Sequence, residues 1–444
     1  MKTYQHSVSL DESKCKGCTT CLKRCPTEAI RIREGHAVIN SERCIDCGEC
    51  IRQCPHKAKR ALHDSLDSLS DFRYTIALPA PSLYGQFDNL DSVDTVISGL
   101  YALGFDDVYE VAKAAELVSA YTRIYLNRTD IVKPVISSAC PVITRIISMN
   151  YPYLVDHVLP IQPPVEVAAL AARQRALRAH PELGEADIGV YFISPCPAKV
   201  SYFKNGFADE NHGVDRVLSM RDVTFALLEH MKKIQSPDKA TESGMVGIGW
   251  ASTGGESAAV FNERYLAADG IENCIRVLEQ IDNEDIHNLD YVELNACHGG
   301  CVGGTMTVSN PYIAQARLQT LKRYLPVSPN RPSDETLPDS VLKHTTLVYS
   351  PGGPLSEDRD EALRMMSDIH QICDGLPGID CGSCGAPTCM AFAEDIVKGE
   401  TNADECTVIM RSLFHQYLTE HKKNAVMEKL NAMRQKAEDP ENKP

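Results

Sequence analysis

Short apolar runs alternate with longer stretches in which apolar residues return every three or four positions, and this alternation dominates residues 74 to about 370. Tyr74 to Leu78, Lys133 to Ile136, Ile188 to Ile193, Met245 to Ile248 and Tyr291 to Leu294 predict strands. Asp91 to Leu103, Val111 to Tyr125, Pro164 to Arg178, Met220 to Ile234 and Tyr312 to Tyr324 predict the helices between them. Such alternation predicts α/β layers with largely parallel sheets. Ligands of these folds sit beyond the carboxyl ends of strands.

At 444 residues the chain exceeds what one hydrophobic core usually serves, and 43% apolar residues suffice for several. No apolar stretch approaches the roughly 18 to 20 residues that span a bilayer, so no membrane association is expected. The opening Met1 to His6 lacks the apolar region of a signal peptide, so a cytoplasmic protein with reduced thiols is expected. A net charge of -15 argues against nucleic acid as a partner. Through Arg60, however, twelve Lys and Arg stand against seven Asp and Glu. This local surplus offsets negatively charged metal thiolates or forms a docking face for an acidic partner.

Sixteen of the eighteen cysteines fall into iron-binding spacings. Cys15-x2-Cys18-x2-Cys21-x3-Cys25-Pro26 is followed by Cys44-x2-Cys47-x2-Cys50-x3-Cys54-Pro55, the bacterial two-cluster ferredoxin run written twice. By its crossover pattern Cys15, Cys18, Cys21 and Cys54 hold one [4Fe-4S] cluster, and Cys44, Cys47, Cys50 and Cys25 the other. Zinc ribbons or disulfides are the plainer readings, but zinc sites rarely pack four cysteines so densely before a proline. Near the other end, Cys381-x2-Cys384-x4-Cys389-x16-Cys406 looks like a small [4Fe-4S] module whose glycines let the loop wrap a cubane, with zinc as the alternative. Cys274 and Cys373 fit no ligand spacing and read as packed thiols. No complete dinucleotide fingerprint or phosphate loop occurs.

The remaining four cysteines each follow a predicted strand, in Ser137-Ser138-Ala139-Cys140-Pro141, Ser194-Pro195-Cys196-Pro197-Ala198-Lys199, and Glu293-Leu294-Asn295-Ala296-Cys297-His298-Gly299-Gly300-Cys301-Val302-Gly303-Gly304. Over roughly residues 74 to 370 the chain resembles the catalytic domain of [FeFe]-hydrogenases, whose three signatures match in order and in ligand spacing. Only the last glycine pair, Gly303 and Gly304, arrives one residue early.

The resemblance implies a catalytic domain of two α/β lobes and a chain organised as a ferredoxin-like α+β domain (1 to 65), an H-cluster domain (74 to 370), a C-terminal [4Fe-4S] module (371 to 420) and a helical or disordered tail (421 to 444). It implies that Cys140, Cys196, Cys297 and Cys301 bind the [4Fe-4S] part of an H-cluster, with Cys301 bridging to a two-iron subsite carrying CO, cyanide and a bridging dithiolate. Lys199 would direct its ammonium toward one cyanide, and Pro81 and Ser82 would lie beside the other. Gly254 and Gly255 would line the same cavity. Substrates would be H2 and protons, with a redox or signalling protein as electron partner and maturation proteins to supply the two-iron subsite.

Departures from the family pattern are equally informative. Where catalytic relatives have a proton-relaying cysteine before the first ligand, this chain has Ala139, whose methyl group cannot carry a proton. Tyr202 replaces the relay glutamate three residues after the lysine, and Ser194 and Asn295 replace two methionines near the cluster. Members with this alanine suggest a hydrogen-sensing enzyme of low turnover, its redox state passing through three accessory clusters. A metabolic hydrogenase using another proton route, and a cluster-assembly relative binding no H2, are the alternatives. The helical run from Val408 to about Ala437 reads as a solvated terminal helix or as a signalling or dimerising one, in which case the partner is a second copy.

Overall fold

Strands at Tyr74, Ile188 and Tyr291 form the middle of two parallel sheets in the computed structural model, which describes residues 5–438. In chain order the strands are β1 (Val8–Leu10), β2 (Ile30–Arg33), β3 (His36–Ile39), β4 (Lys59–Ala61), β5 (Tyr74–Pro79), β6 (Asp107–Val108), β7 (Val135–Ile136), β8 (Ile188–Ser194), β9 (Arg216–Ser219), β10 (Tyr265–Asp269) and β11 (Tyr291–Asn295). The chain divides into two units. One runs through Lys14 and then from Ser41 to Gly353; the other holds Cys15–Asn40 and the chain from Pro354 onward.

In the first unit one sheet has the order β6-β5-β8-β9, every pairing parallel. All seven residues of β8 are buried, the continuous apolar pattern of a strand covered on both faces. The Val93–Leu103 and Met220–Met231 helices pack together beside this sheet, as do Val111–Leu126 and Pro164–Ala179. The first pair meets at Gly99, where an added Cβ would lie 3.0 Å from the Met231 side chain, so a larger residue there would press that side chain aside.

The second sheet has the order β10-β11-β7, again parallel. Ile143, Ile146 and Ile147 of the Pro141–Asn150 helix share one apolar core with Leu278 of the Ile271–Asp282 helix and Val292 of β11. The α/β class with parallel sheets is therefore as expected.

Met245 to Ile248 is not a strand: Met245–Gly249 is a short helix packed on Val111–Leu126. An added Cβ at Gly247 would fall 2.1 Å from the Ala112 carbonyl oxygen, so glycine permits a contact that a strand-like periodicity cannot foretell. The strand expected from Lys133 shortens to Val135–Ile136, starting after Pro134, which has no N–H for a ladder. The helix beginning at Met220 stops at Met231.

In the second unit β2 and β3 form an antiparallel hairpin after the helical turn Thr20–Lys23. The helices Arg359–Asp374 and Cys389–Val397 pack together. Thr407–Glu438 is a long helix on which Met410, Leu413, Phe414 and Tyr417 are exposed. The final six residues of the expected tail lie outside the described residues. Among the described residues no helix is long and apolar enough to cross a membrane.

Candidate metal centre

β7 delivers Cys140, and β8 delivers Cys196, each to the position just before a helix whose first residue is proline: Pro141–Asn150 after one, Pro197–Lys204 after the other. Proline suits this first helical position because its fixed φ is already helical and its missing N–H has no partner to lose. Each cysteine therefore sits in extended conformation at a helix N-terminus, where the helix dipole favours a thiolate. β11 delivers Cys297 and Cys301 on a loop that turns through Gly299 and Gly300, both at positive φ. An added Cβ on Gly300 would meet the Thr253 backbone nitrogen at 2.6 Å, so the loop rests directly on the Ser252–Thr253 backbone.

All four thiols line one cavity of about 110 Å³, together with Lys199, Ala139, Pro81, Ser82 and Asn295. The rest of the wall is largely apolar, including Val111, Val165, Phe192 and Trp250. Ser194 does not line the cavity, and neither do Gly254 and Gly255, which were expected to. The Ser194 hydroxyl closes the Cys196 turn by accepting from the Cys196 N–H at 3.3 Å, and the Gly254 N–H donates to Glu293 at 3.0 Å. Cys301 is the exposed member of the four, its side chain facing the cavity.

Burial pushes the Cys196 thiol up to about 11 and the Cys297 thiol up to about 12, with neighbouring thiols adding to both shifts. Cys301 is driven well above the usual thiol value by burial and then by Cys196, Cys140 and Cys297. Four ionised sulfurs in so dry a space require a cation among them. Among the described residues no three Cys, His, Asp or Glu side chains close tightly enough on a point to hold one metal ion. Thiols arranged around a cavity rather than a point fit a multi-iron cluster better than a single ion. His298 is 56% exposed, lies 3.6 Å from Asp269 and does not line this cavity.

Behind the cavity are groups that local sequence signals did not reveal. The Ala139 N–H donates to Ser137 Oγ at 3.1 Å, and that hydroxyl donates to Glu256 at 2.7 Å. Tyr291 also donates to Glu256, whose carboxyl is pushed up to about 8 by burial and by Glu293. Burial likewise raises Glu293, although Ser257, Gly254 and Asn295 donate to it. On another side, Lys199 and Lys343 lie over the Tyr202 ring at 4.9 and 4.8 Å. Tyr202 donates to the buried Glu166, and Lys343 donates to the Tyr202 hydroxyl at 2.7 Å. These partners are remote in sequence, and no spacing rule links them.

The second ferredoxin-type motif belongs to the same unit. Cys47 is part of the cavity wall, and Asp46 accepts from the Ser7 N–H and the Ser201 hydroxyl, both at 2.7 Å. Gly48 leaves room for Thr305, which an added Cβ would meet at 2.5 Å. Burial raises the Cys54 thiol, but backbone donors from Ala58, Lys59, His56 and Lys57 outweigh it and hold the thiol below its usual value.

The first motif lies in the second unit, where the Ala29 N–H donates to the Cys25 sulfur at 3.3 Å. There too Cys381, Cys384, Cys389 and Cys406 line a single small cavity of about 20 Å³, so the residues present fit one compact cluster. Amide and hydroxyl donors of Ser383 hold the Cys381 thiol down. Cys274 is buried and donates to the Asn295 carbonyl, a packed thiol as expected; Cys373 is half-buried.

Residues 73–265 and 252–305 match the family profile described as iron only hydrogenase large subunit, C-terminal domain. Residues 7–55 match a 4Fe-4S dicluster domain, and residues 376–408 a putative Fe-S cluster family. Over 214 residues the chain is 33% identical to the periplasmic [Fe] hydrogenase large subunit of Nitratidesulfovibrio vulgaris, covering 44% of this chain and 50% of that protein. The chain thus spans about half the length of this curated relative. A 51-residue stretch is 33% identical to an uncharacterized protein of Methanocaldococcus jannaschii, covering 12% of this chain and 23% of that protein. Among solved structures, an [FeFe]-hydrogenase from Chlamydomonas reinhardtii aligns with a TM-score of 0.47 at 16% identity over 63% of this chain and 95% of that chain.

Proposed function

Because the chain belongs to the iron-only hydrogenase large-subunit family, we propose that it is a hydrogen-sensing [FeFe]-hydrogenase. In this reading it oxidises H2 and reduces protons slowly and reversibly, and passes electrons through three accessory [4Fe-4S] clusters to a redox or signalling protein in a reducing compartment. The observation that carries it is Ala139 on the wall of a cavity that four thiols and Lys199 share. Cys140, Cys196, Cys297 and Cys301 would hold the H-cluster, which supplies the H2-splitting chemistry when bound.

The chain's own residues do the rest. The apolar wall excludes water, so charges inside act at low dielectric. Lys199 offers a cation for an anionic iron ligand. Its ammonium is held over Tyr202, which Glu166 and Lys343 fix by hydrogen bonds. With a methyl group at position 139 and tyrosine at position 202, neither of these positions supplies a ready proton carrier near neutral pH.

A metabolic hydrogenase with another proton route is the second reading, favoured by Glu256, a carboxyl whose raised pKa of about 8 suits proton exchange two hydrogen bonds behind Ala139. Infrared spectroscopy of the matured protein tests both, since CO and cyanide stretches report the two-iron subsite; their absence would leave only a cluster-assembly relative. Hydrogen production then separates the two: low turnover supports sensing, and turnover equal to that of relay-containing enzymes refutes it.

A further inference from the structure

The C-terminal four-cysteine module is fastened to the first ferredoxin-type motif far more firmly than a connecting linker requires. Both belong to the second unit. Asp395 lies on the Cys389–Val397 helix, six residues beyond a cluster cysteine, and is only 2% exposed. Arg31 and Arg33 project from the same face of β2 and reach its carboxylate at 2.7 and 2.5 Å. A buried carboxylate between two guanidinium groups tolerates little misplacement, because it has given up its water and depends on these charged partners.

Further attachments surround the Cys381–Cys389 loop. The Ile32 N–H donates to the Gly385 carbonyl at 2.8 Å, and an added Cβ on Gly385 would lie 2.3 Å from the Ile32 oxygen, so only glycine allows this approach. Lys23 donates to the carbonyls of Asp380 and Pro387 at 2.6 and 2.8 Å. An added Cβ on Gly382 would touch Leu22 at 3.2 Å. Leu22 adjoins Cys21 and Gly382 adjoins Cys381, so the two cysteine loops are one residue from contact.

We propose that Asp395 is a positioning residue that holds the C-terminal cluster against the cluster of the first motif, making the two a directly coupled electron-exchange pair. The inference rests on reading both cysteine sets as [4Fe-4S] sites. The exchange is one electron lost by the reduced cubane and gained by the oxidised one, with no bond formed or broken. Electron tunnelling weakens steeply with distance, so a clamp that fixes two loops edge to edge sets its rate.

Electron paramagnetic resonance of the full-length, cluster-loaded, reduced protein tests this. A Cys384→Ala variant removes the C-terminal cluster, and its iron content should fall by about four atoms per chain. The wild-type spectrum should then differ from that of the variant plus one isolated cluster, because neighbouring spins interact. Asp395→Asn should keep the iron yet give the simple sum, and Asp395→Glu should return the interaction. Lys23→Met, which leaves the buried ion pairs intact, should weaken the interaction and guards against an Asp395 variant that fails to fold. Unchanged iron in Cys384→Ala would overturn the cluster reading together with the inference. A full iron complement with additive wild-type spectra, or an interaction that survives both Asp395→Asn and Lys23→Met, would overturn the inference alone.

Discussion

Arg52 donates to the Gly303 carbonyl at 2.7 Å, tying the short helix that carries Cys50 to the loop that carries Cys301. Arg52 also donates to the Cys297 sulfur and lowers its pKa against the push of burial. One guanidinium thus touches both the second ferredoxin-type motif and the thiol cavity, within a single unit.

Arg52→Ala should therefore destabilise the first unit by about 1 to 3 kcal/mol, the range for a charged hydrogen bond lost at a half-buried site. It should also lower the reduction potential of the cluster proposed at Cys297, since a positive charge leaves its surroundings. Anaerobic thermal melts and a redox titration followed by infrared spectroscopy measure the two effects. A potential that rises would contradict the assignment.

Ala139→Cys should place a thiol on the cavity wall, at the residue whose backbone N–H donates to the Ser137 hydroxyl beside Glu256. Hydrogen evolution should rise on the order of a hundred-fold, the lower end of what a positioned proton carrier contributes. An assay with a reduced dye as donor measures it. No increase in a variant with full infrared bands would mean that protons already arrive by another route.

Gly304→Ala should damage the site more than its size suggests. The new Cβ would sit 2.3 Å from the Pro195 carbonyl oxygen, and Pro195 precedes Cys196 as Gly304 follows Cys301. Relief requires one cysteine loop to move from the other, a cost of roughly 1 to 3 kcal/mol for overpacking. Iron content below wild type after identical reconstitution is the expected readout, and full iron loading would show that the loops yield without separating.

Glu256 should make the fold pH-dependent. Its carboxyl is raised to about 8, chiefly by burial, so the folded chain holds a proton that the unfolded chain releases near its ordinary 4.5. The stabilisation is complete below about 4.5 and is lost as pH rises through about 8, with a slope of at most about 1.4 kcal/mol per pH unit. Glu256→Gln should flatten the fall in melting temperature across that window. If the variant's profile overlays the wild type, Glu256 is not the titrating group.

The cysteine signatures were legible because ligation by a cubane imposes short, fixed spacings along the chain. The helices that begin at Pro141 and Pro197 were not among the elements expected, although proline's preference for the first helical position is a local signal that could have found them. The α/β alternation was legible for long periodic segments such as Val111–Leu126 and Ile188–Ser194. Met245 to Ile248 misled because a run of three apolar residues and a glycine suits a buried helix as well as a strand, and the close approach of Gly247 to Ala112 fits the helix.

By itself the sequence determined which residues are equipped to ligate iron and that Ala139 cannot relay a proton, because both follow from side-chain chemistry and spacing. Tertiary structure alone decided that Glu256 stands behind Ala139, that Tyr202 joins Glu166 to Lys343, and that Asp395 meets Arg31 and Arg33. Those pairings span tens to hundreds of residues, and a buried charge finds its partner through the packing of whole elements, which no local pattern encodes.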